Sequence, residues 1–326
     1  MLTRIKKYPG ALSLLIIVVC CILMSGAVFV YASMEPAPPP PTVSDTAWWV
    51  WPLGLFVFTF VLGIVAVLGG VGGGVLYVPI VSGFFPFHLD FVRATGLLVA
   101  LSTALAAGPG LLKRNLASLR LSMPLALIAS AAAIAGAMIG LALPTNLVQT
   151  LLGATILGIV FILLLAKKSD FPNVPKPDAL SSALGIMGIY HEESLGKDIE
   201  WHVHRTPQAL FLFVVIGLMA GMFGLGAGWA NVPVLNLLMG APLKVSVASS
   251  VFLLSITDTA AAWVFINKGA VLPLMVVPSI VGVMLGSRIG VRILATAKPK
   301  AIKWMVIGLL FLSGLRSLLK GLGIWN

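Results

Sequence analysis

Long apolar runs separated by short polar breaks dominate the chain. The first is Ala11–Tyr31, which comes after Arg4, Lys6 and Lys7. Further runs cover roughly Trp48–Leu68, Ala94–Leu112, Leu121–Leu143, Leu147–Ala166, Ala209–Met222, Val245–Ile266, Val271–Gly286 and Trp304–Leu319. Each is near the length of about 20 residues that a helix needs to cross a bilayer. Gly and Ala crowd several of them, as between Ala129 and Gly140. Small residues let helices approach closely in lipid, which predicts a packed bundle. Ala11–Tyr31 is longer than the apolar core of a signal peptide, so it is expected to stay as an anchor, with cleavage after Val30-Tyr31-Ala32 the alternative. Glu35 to Asp45 carries Pro36 and the run Pro38 to Pro41 without Lys or Arg. It reads as an extended extracytoplasmic linker.

Composition agrees with that pattern. Of 326 residues, 59% are hydrophobic and 10% charged, and the mean hydropathy is +1.08. Soluble domains carry about 25% charged residues, so a cytosolic enzyme and a disordered chain are both excluded. The net charge of +11 is read here as Lys and Arg in cytoplasmic loops, not as a nucleic-acid surface. The two cysteines, Cys20 and Cys21, are adjacent within an apolar run and have no metal-ligand spacing.

The strongest signal is a repeat. Gly69-Gly70-Val71-Gly72-Gly73-Gly74-Val75-Leu76-Tyr77-Val78-Pro79 aligns with Phe223-Gly224-Leu225-Gly226-Ala227-Gly228-Trp229-Ala230-Asn231-Val232-Pro233. At the same offset, Ala94-Thr95-Gly96 falls opposite Ala248-Ser249-Ser250, and Met123-Pro124 opposite Val277-Pro278. The register then slips by about one helical turn, so that Gly136–Gly140 resembles Gly286–Gly290. Clustered glycines let the backbone turn sharply, and the Pro after them removes a ladder donor. Each motif therefore predicts a broken helix. Broken helices at membrane depth are tolerated where protein or a wet cavity covers them. In paired repeats they point to the substrate site of a secondary transporter. Close packing through Gly is the alternative.

Three basic clusters test the topology: Lys113, Arg114 and Arg120; Lys167 through Arg205; and Arg288 through Lys303. Counting each broken segment as a further crossing places all three inside and makes the crossings in each half odd. The expected architecture is an all-α polytopic membrane protein of two homologous, inverted repeats, seated in the cell (inner) membrane. Residues 1–47 form the anchor and linker, 48–166 the first repeat, 167–207 a cytoplasmic loop and 208–326 the second repeat. Within the loop, alternation over Ile186–Tyr190 and Ile199–His204 predicts a β-hairpin. His202 and His204 would share a strand face there, open to a metal with His191 or Glu200, or simply to solvent. No metal and no cofactor is expected.

The paired Gly/Pro motifs, Ala248-Ser249-Ser250 and Gly286-Ser287-Arg288 resemble the TauE/SafE sulfite exporter family, also called the toluene sulfonate uptake permeases. The resemblance covers about Trp48 to Lys320. It implies a secondary transporter of small anions, often sulfur-containing: sulfite, thiosulfate or organosulfonates such as sulfoacetate. The expected partners are that anion and the lipid bilayer, and no nucleic acid.

The residues expected to line the substrate path are Gly70, Gly72, Gly73, Gly74, Pro79 and Thr95 in the first half. In the second they are Gly224, Gly226, Gly228, Asn231, Pro233, Ser249 and Ser250. The hydroxyl and amide groups among them offer hydrogen bonds without fixed charge, although Ser and Thr also bond to their own helix carbonyls. Asp258, flanked by Thr257 and Thr259, is an acidic residue deep in an apolar run. It is a candidate for proton coupling, or for neutralising a buried Arg or Lys. Arg93 is expected to anchor a helix at the interface. The chain has no zinc-protease motif, no Walker motif and no strand-to-helix dinucleotide motif, so it does not read as an enzyme. A channel, a carrier for another small solute and a structural membrane protein remain as alternatives.

Overall fold

The computed structural model describes residues 49–69, 72–113, 116–165, 172, 174, 176–192, 197–294 and 299–324. The expected anchor, the Pro-rich linker, Cys20 and Cys21 lie outside them. Helices α1 (Val50–Gly69), α2 (Gly73–Phe84), α3 (Leu89–Lys113), α4 (Leu119–Ala142) and α5 (Thr145–Leu165) come first. A short helix α6 (Ala179–Leu184) leads to an antiparallel hairpin, β1 (Met187–Glu192) and β2 (Lys197–His202), with Met187 opposite His202. Next come α7 (Thr206–Phe223), α8 (Gly228–Pro233), a π-helical turn Val234–Leu238, α9 (Leu243–Asn267), α10 (Pro273–Leu294) and α11 (Pro299–Gly321).

Among the described residues, five helical segments are long and apolar enough to cross a membrane: Leu89–Ala106, Leu119–Ala142, Thr206–Phe223, Leu243–Asn267 and Pro273–Gly290. The protein is thus an all-α polytopic membrane protein. Its outer surface matches that reading. Phe211, Trp263, Phe161 and Leu312 are all more than 60% exposed, a distribution suited to lipid and costly in water.

The pairing of helices obeys a simple rule. α1 packs on α10, and α7 on α4; α3 packs on α9, and α5 on α11. α4 also meets α9, as α10 meets α3, while α2 lies on α3 and α8 on α9. This pattern is unchanged when α1–α5 are exchanged in order with α7, α8, α9, α10 and α11.

Glycine makes the closest crossings. A Cβ on Gly63 would meet the carbonyl oxygen of Val283 at 2.6 Å, and one on Gly282 that of Phe56 at 2.6 Å. In the other pair, Gly217 lies against the backbone of Ala129, Gly221 against Ala133, and Gly136 against Leu218. Backbones that touch gain dispersion contacts that lipid cannot match.

Two ends of the bundle are defined by contacts. The amide of His204, just after the hairpin, donates to Met239 O at 3.0 Å, which ties the end of the π turn to the hairpin. At the other end, Lys320 Nζ donates to Ser82 O at 3.2 Å, and Arg316 sits 4.1 Å over the Phe84 ring. These cations cover the C-terminal end of α2, where exposed carbonyls carry negative partial charge.

Candidate functional site

Both glycine motifs break their helices. α1 stops at Gly69 and α2 starts at Gly73, with Gly72 between them at φ +85°. α7 stops at Phe223, and Gly224 and Gly226 take φ +69° and +71° before α8 starts at Gly228. Positive φ is strained for residues with a Cβ, so glycine is required at these three turns. Gly70 lies outside the described residues.

The breaks meet at half height. A Cβ on Gly74 would touch Leu225 O at 2.6 Å and Gly96 O at 2.8 Å, and one on Gly73 would touch Thr103 Oγ1 at 3.1 Å. Gly226 faces Ala100 and Asp258 in the same sense, and Gly72 faces Leu254. Gly96, Ala100 and Thr103 occupy the middle part of α3, and Leu254 and Asp258 that of α9. From there α2 runs for 12 residues towards the Lys320 end, and α8 with its π turn runs towards the hairpin. At 1.5 Å per residue α2 is about 18 Å long, far short of the ~30 Å apolar thickness of a bilayer. Two half-length helices therefore begin near the centre and leave in opposite directions.

The prolines shape the segment after each break. Pro79 lies within α2 and Pro233 ends α8. Pro233 has no amide proton to continue the α ladder. The next segment pairs i to i+5, with Met239 N donating to Val234 O at 3.0 Å. Asn236 Nδ2 and Ser246 Oγ then both donate to Ala241 O, which holds the exit from this turn.

The polar residues divide into those already bonded and those open. Thr95 Oγ1 donates to Phe91 O at 2.7 Å within its own helix. Ser249 Oγ accepts the Ser118 amide at 3.1 Å, tying α9 to the start of α4. Ser250 is buried on the same helix. Asn231 is 1% exposed, and neither polar atom of its side chain has a partner among the described residues. The same holds for both carboxyl oxygens of Asp258, Thr257 Oγ1 and Trp229 Nε1. Thr259 is exposed and donates to Ser255 O.

Asp258 has no cationic partner among the described residues, so nothing there neutralises it. The buried cation is elsewhere. Arg93 is 1% exposed, not set at an interface as the sequence suggested. Its Nη1 donates to Gly140 O at 3.0 Å and to Met222 O at 2.8 Å, its Nη2 pairs with Asp90, and Phe265 lies 5.6 Å away. Gly224 packs against the Arg93 backbone. Arg93 therefore clamps the ends of α4 and α7 to α3, next to the second break. Only the tertiary contacts reveal this, because the neighbours His88 and Asp90 make the segment look like a polar helix end.

Trp229 and Thr257 escaped the sequence reading as candidate ligands. Trp229 aligns with the apolar Val75, and Thr257 looks like an ordinary helix threonine. Of the motif residues on α10, Gly286 lies against the Phe60 backbone, Ser287 is buried with its hydroxyl open among the described residues, and Arg288 is exposed.

The hairpin histidines do not share a strand face, because β2 ends at His202. His202 Nε2 bonds with Val174 O at 2.7 Å, and His204 lies past the strand end beside Gly240. The side chain of His191 lies outside the described residues. Among the described residues no group of His, Cys, Asp and Glu is arranged to hold a metal ion.

A model of the family described as sulfite exporter TauE/SafE matches residues 55–317. The "Probable membrane transporter protein YunE" of Bacillus subtilis (strain 168) is 24% identical over 278 residues, 82% of this chain and 98% of that protein. The "Probable membrane transporter protein ORF9" of Sinorhizobium sp is 26% identical over 258 residues, 78% of this chain and 87% of that protein. No solved structure matches at a significant level.

Proposed function

The chain belongs to the sulfite exporter TauE/SafE family, and we propose that it is a secondary transporter of small anions bound between the two helix breaks. The family comprises membrane transporters of small solutes, not enzymes. The proposed cargo is sulfur-containing: sulfite, thiosulfate or an organosulfonate. The carrying observation is that the first turn of α2 lies against the loop leading into α8, at Gly74 and Leu225, beside the middle parts of α3 and α9. Unpaired amide groups at a helix start carry positive partial charge and favour anions.

Exchange symmetry of the helix pairings supports two inverted repeats. In such carriers one repeat rocks against the other around a fixed site. Open backbone groups would bind the anion without a fixed cation, which favours release as well as capture. In this reading Asp258 binds and gives up a proton during the cycle. Burying an unpaired carboxylate costs several kcal/mol, so its charge state would be tied to what occupies the site.

Uptake of labelled sulfite, thiosulfate and sulfoacetate into proteoliposomes, with and without a pH gradient, tests the proposal. Saturable uptake of at least one anion, driven by the gradient, is expected. Unsaturable flux down any gradient would mark a channel, and no flux above empty liposomes would remove the transport reading for these anions.

A further inference from the structure

We infer that the side chains that recognise the substrate lie at the second break, where Asp258, Thr257 and Trp229 form one polar site that binds an oxyanion together with a proton. This deepens the carrier reading and rests on it. These three side chains are at least nine-tenths buried, and all have polar atoms without partners among the described residues. Buried polar groups are otherwise nearly always hydrogen-bonded. Three open side chains on two touching elements therefore point to a missing ligand.

Their placement is compact. A Cβ on Gly226 would lie 2.9 Å from Asp258 Oδ2, and Trp229 comes three residues later in the first turn of α8. α8 packs on α9, where Thr257 adjoins Asp258; Asn231, two residues after Trp229, is turned about 200° from it around α8 and stays outside the set. The matched positions in the first half are closed or apolar. Thr103 Oγ1 donates to Val99 O at 2.9 Å, and Tyr77 is hydrogen-bonded to Ser279 at 3.4 Å. Val75 stands opposite Trp229 and Ala104 opposite Asp258.

The chemistry of the set selects the ligand. Indole N–H and threonine O–H are donors, as a sulfonate or sulfite oxygen requires. An ionised carboxylate would repel that ligand. A protonated Asp258 becomes a further donor. The proton comes from the side on which the anion loads and leaves with it on the other, so anion and proton move in the same direction.

Transport kinetics of matched variants in proteoliposomes test this, with sulfite, thiosulfate and sulfoacetate as probes. Thr257→Val removes one donor while keeping shape, Trp229→Phe removes one together with part of the ring system, and each is expected to raise KM roughly tenfold, the loss typical of a hydrogen bond to a charged group. Thr103→Val, the mirror change, is expected to leave KM within about twofold, because its hydroxyl is already bonded within its helix. Asp258→Asn is expected to abolish accumulation driven by a pH gradient, while slower exchange of labelled for unlabelled anion persists and shows that the variant is folded. Equal effects of Thr103→Val and Thr257→Val, or gradient-driven accumulation by Asp258→Asn, would overturn the assignment while leaving the carrier reading intact. If the unmodified protein carries none of the three anions, the carrier reading falls, and this assignment with it.

Discussion

The two glycine breaks share a backbone plan and differ in what surrounds it. At the first, among the described residues, the nearest atom to a Cβ on Gly72 is Leu254 Cδ1 at 4.0 Å. At the second, Gly226 makes the same turn against Asp258 and Ala100, at 2.9 Å and 3.0 Å. Tyr77 comes after the first break and is bonded; Asn231 comes after the second and, among the described residues, is not. The comparison separates two jobs that a repeat can perform. Both copies supply the bend, the half-helix and the close crossing with the long helices. At the matched positions beside the breaks, the open polar side chains belong to the second copy, while Thr103 and Tyr77 in the first are bonded.

The severest way to break that contrast is to move the carboxyl across it. The double variant Ala104→Asp with Asp258→Ala keeps the total charge but places the acid at the matched position beside the first break, where Thr103 and Tyr77 are already bonded. Transport is expected to fall about 100-fold or more, since a buried carboxylate without partners costs several kcal/mol. Recovery of gradient-driven uptake would show the halves to be interchangeable.

A smaller effect compares the turns themselves. Gly226→Ala adds left-handed strain and a contact with Asp258, and is expected to cost about 2–3 kcal/mol. Gly72→Ala adds the strain alone, about 1 kcal/mol. Thermal unfolding in detergent ranks the two, and equal losses would deny that the second break is the crowded one. The smallest effect is expected from Tyr77→Phe. It removes the weak bond to Ser279, costs about 0.5–1 kcal/mol, and leaves anion KM unchanged. A changed KM would bring the first half into the site.

Much of this architecture was legible in the residues. The apolar run Leu121–Leu143 became α4 at Leu119–Ala142, and Val245–Ile266 became α9 at Leu243–Asn267. The breaks were legible too, since Gly224 and Gly226 need positive φ whatever lies around them. The site was legible only in part. Asn231 and Asp258 stood out as polar residues in apolar stretches. Thr95 and Ser249 stood out equally, yet one bonds its own helix and the other holds the α4 amide of Ser118. Trp229 was hidden, because a buried indole and a lipid-facing one look alike along a chain.

Spans, repeat and breaks came from the sequence by itself, because hydropathy and backbone freedom act over a few consecutive residues. Which elements touch was decided only by the tertiary structure. Residues more than a hundred positions apart, such as Gly74 and Leu225, or Arg93 and Met222, meet because small side chains let whole helices close on one another. Whether a buried polar group is bonded or open is then a matter of distances across those crossings, and no local pattern carries that information.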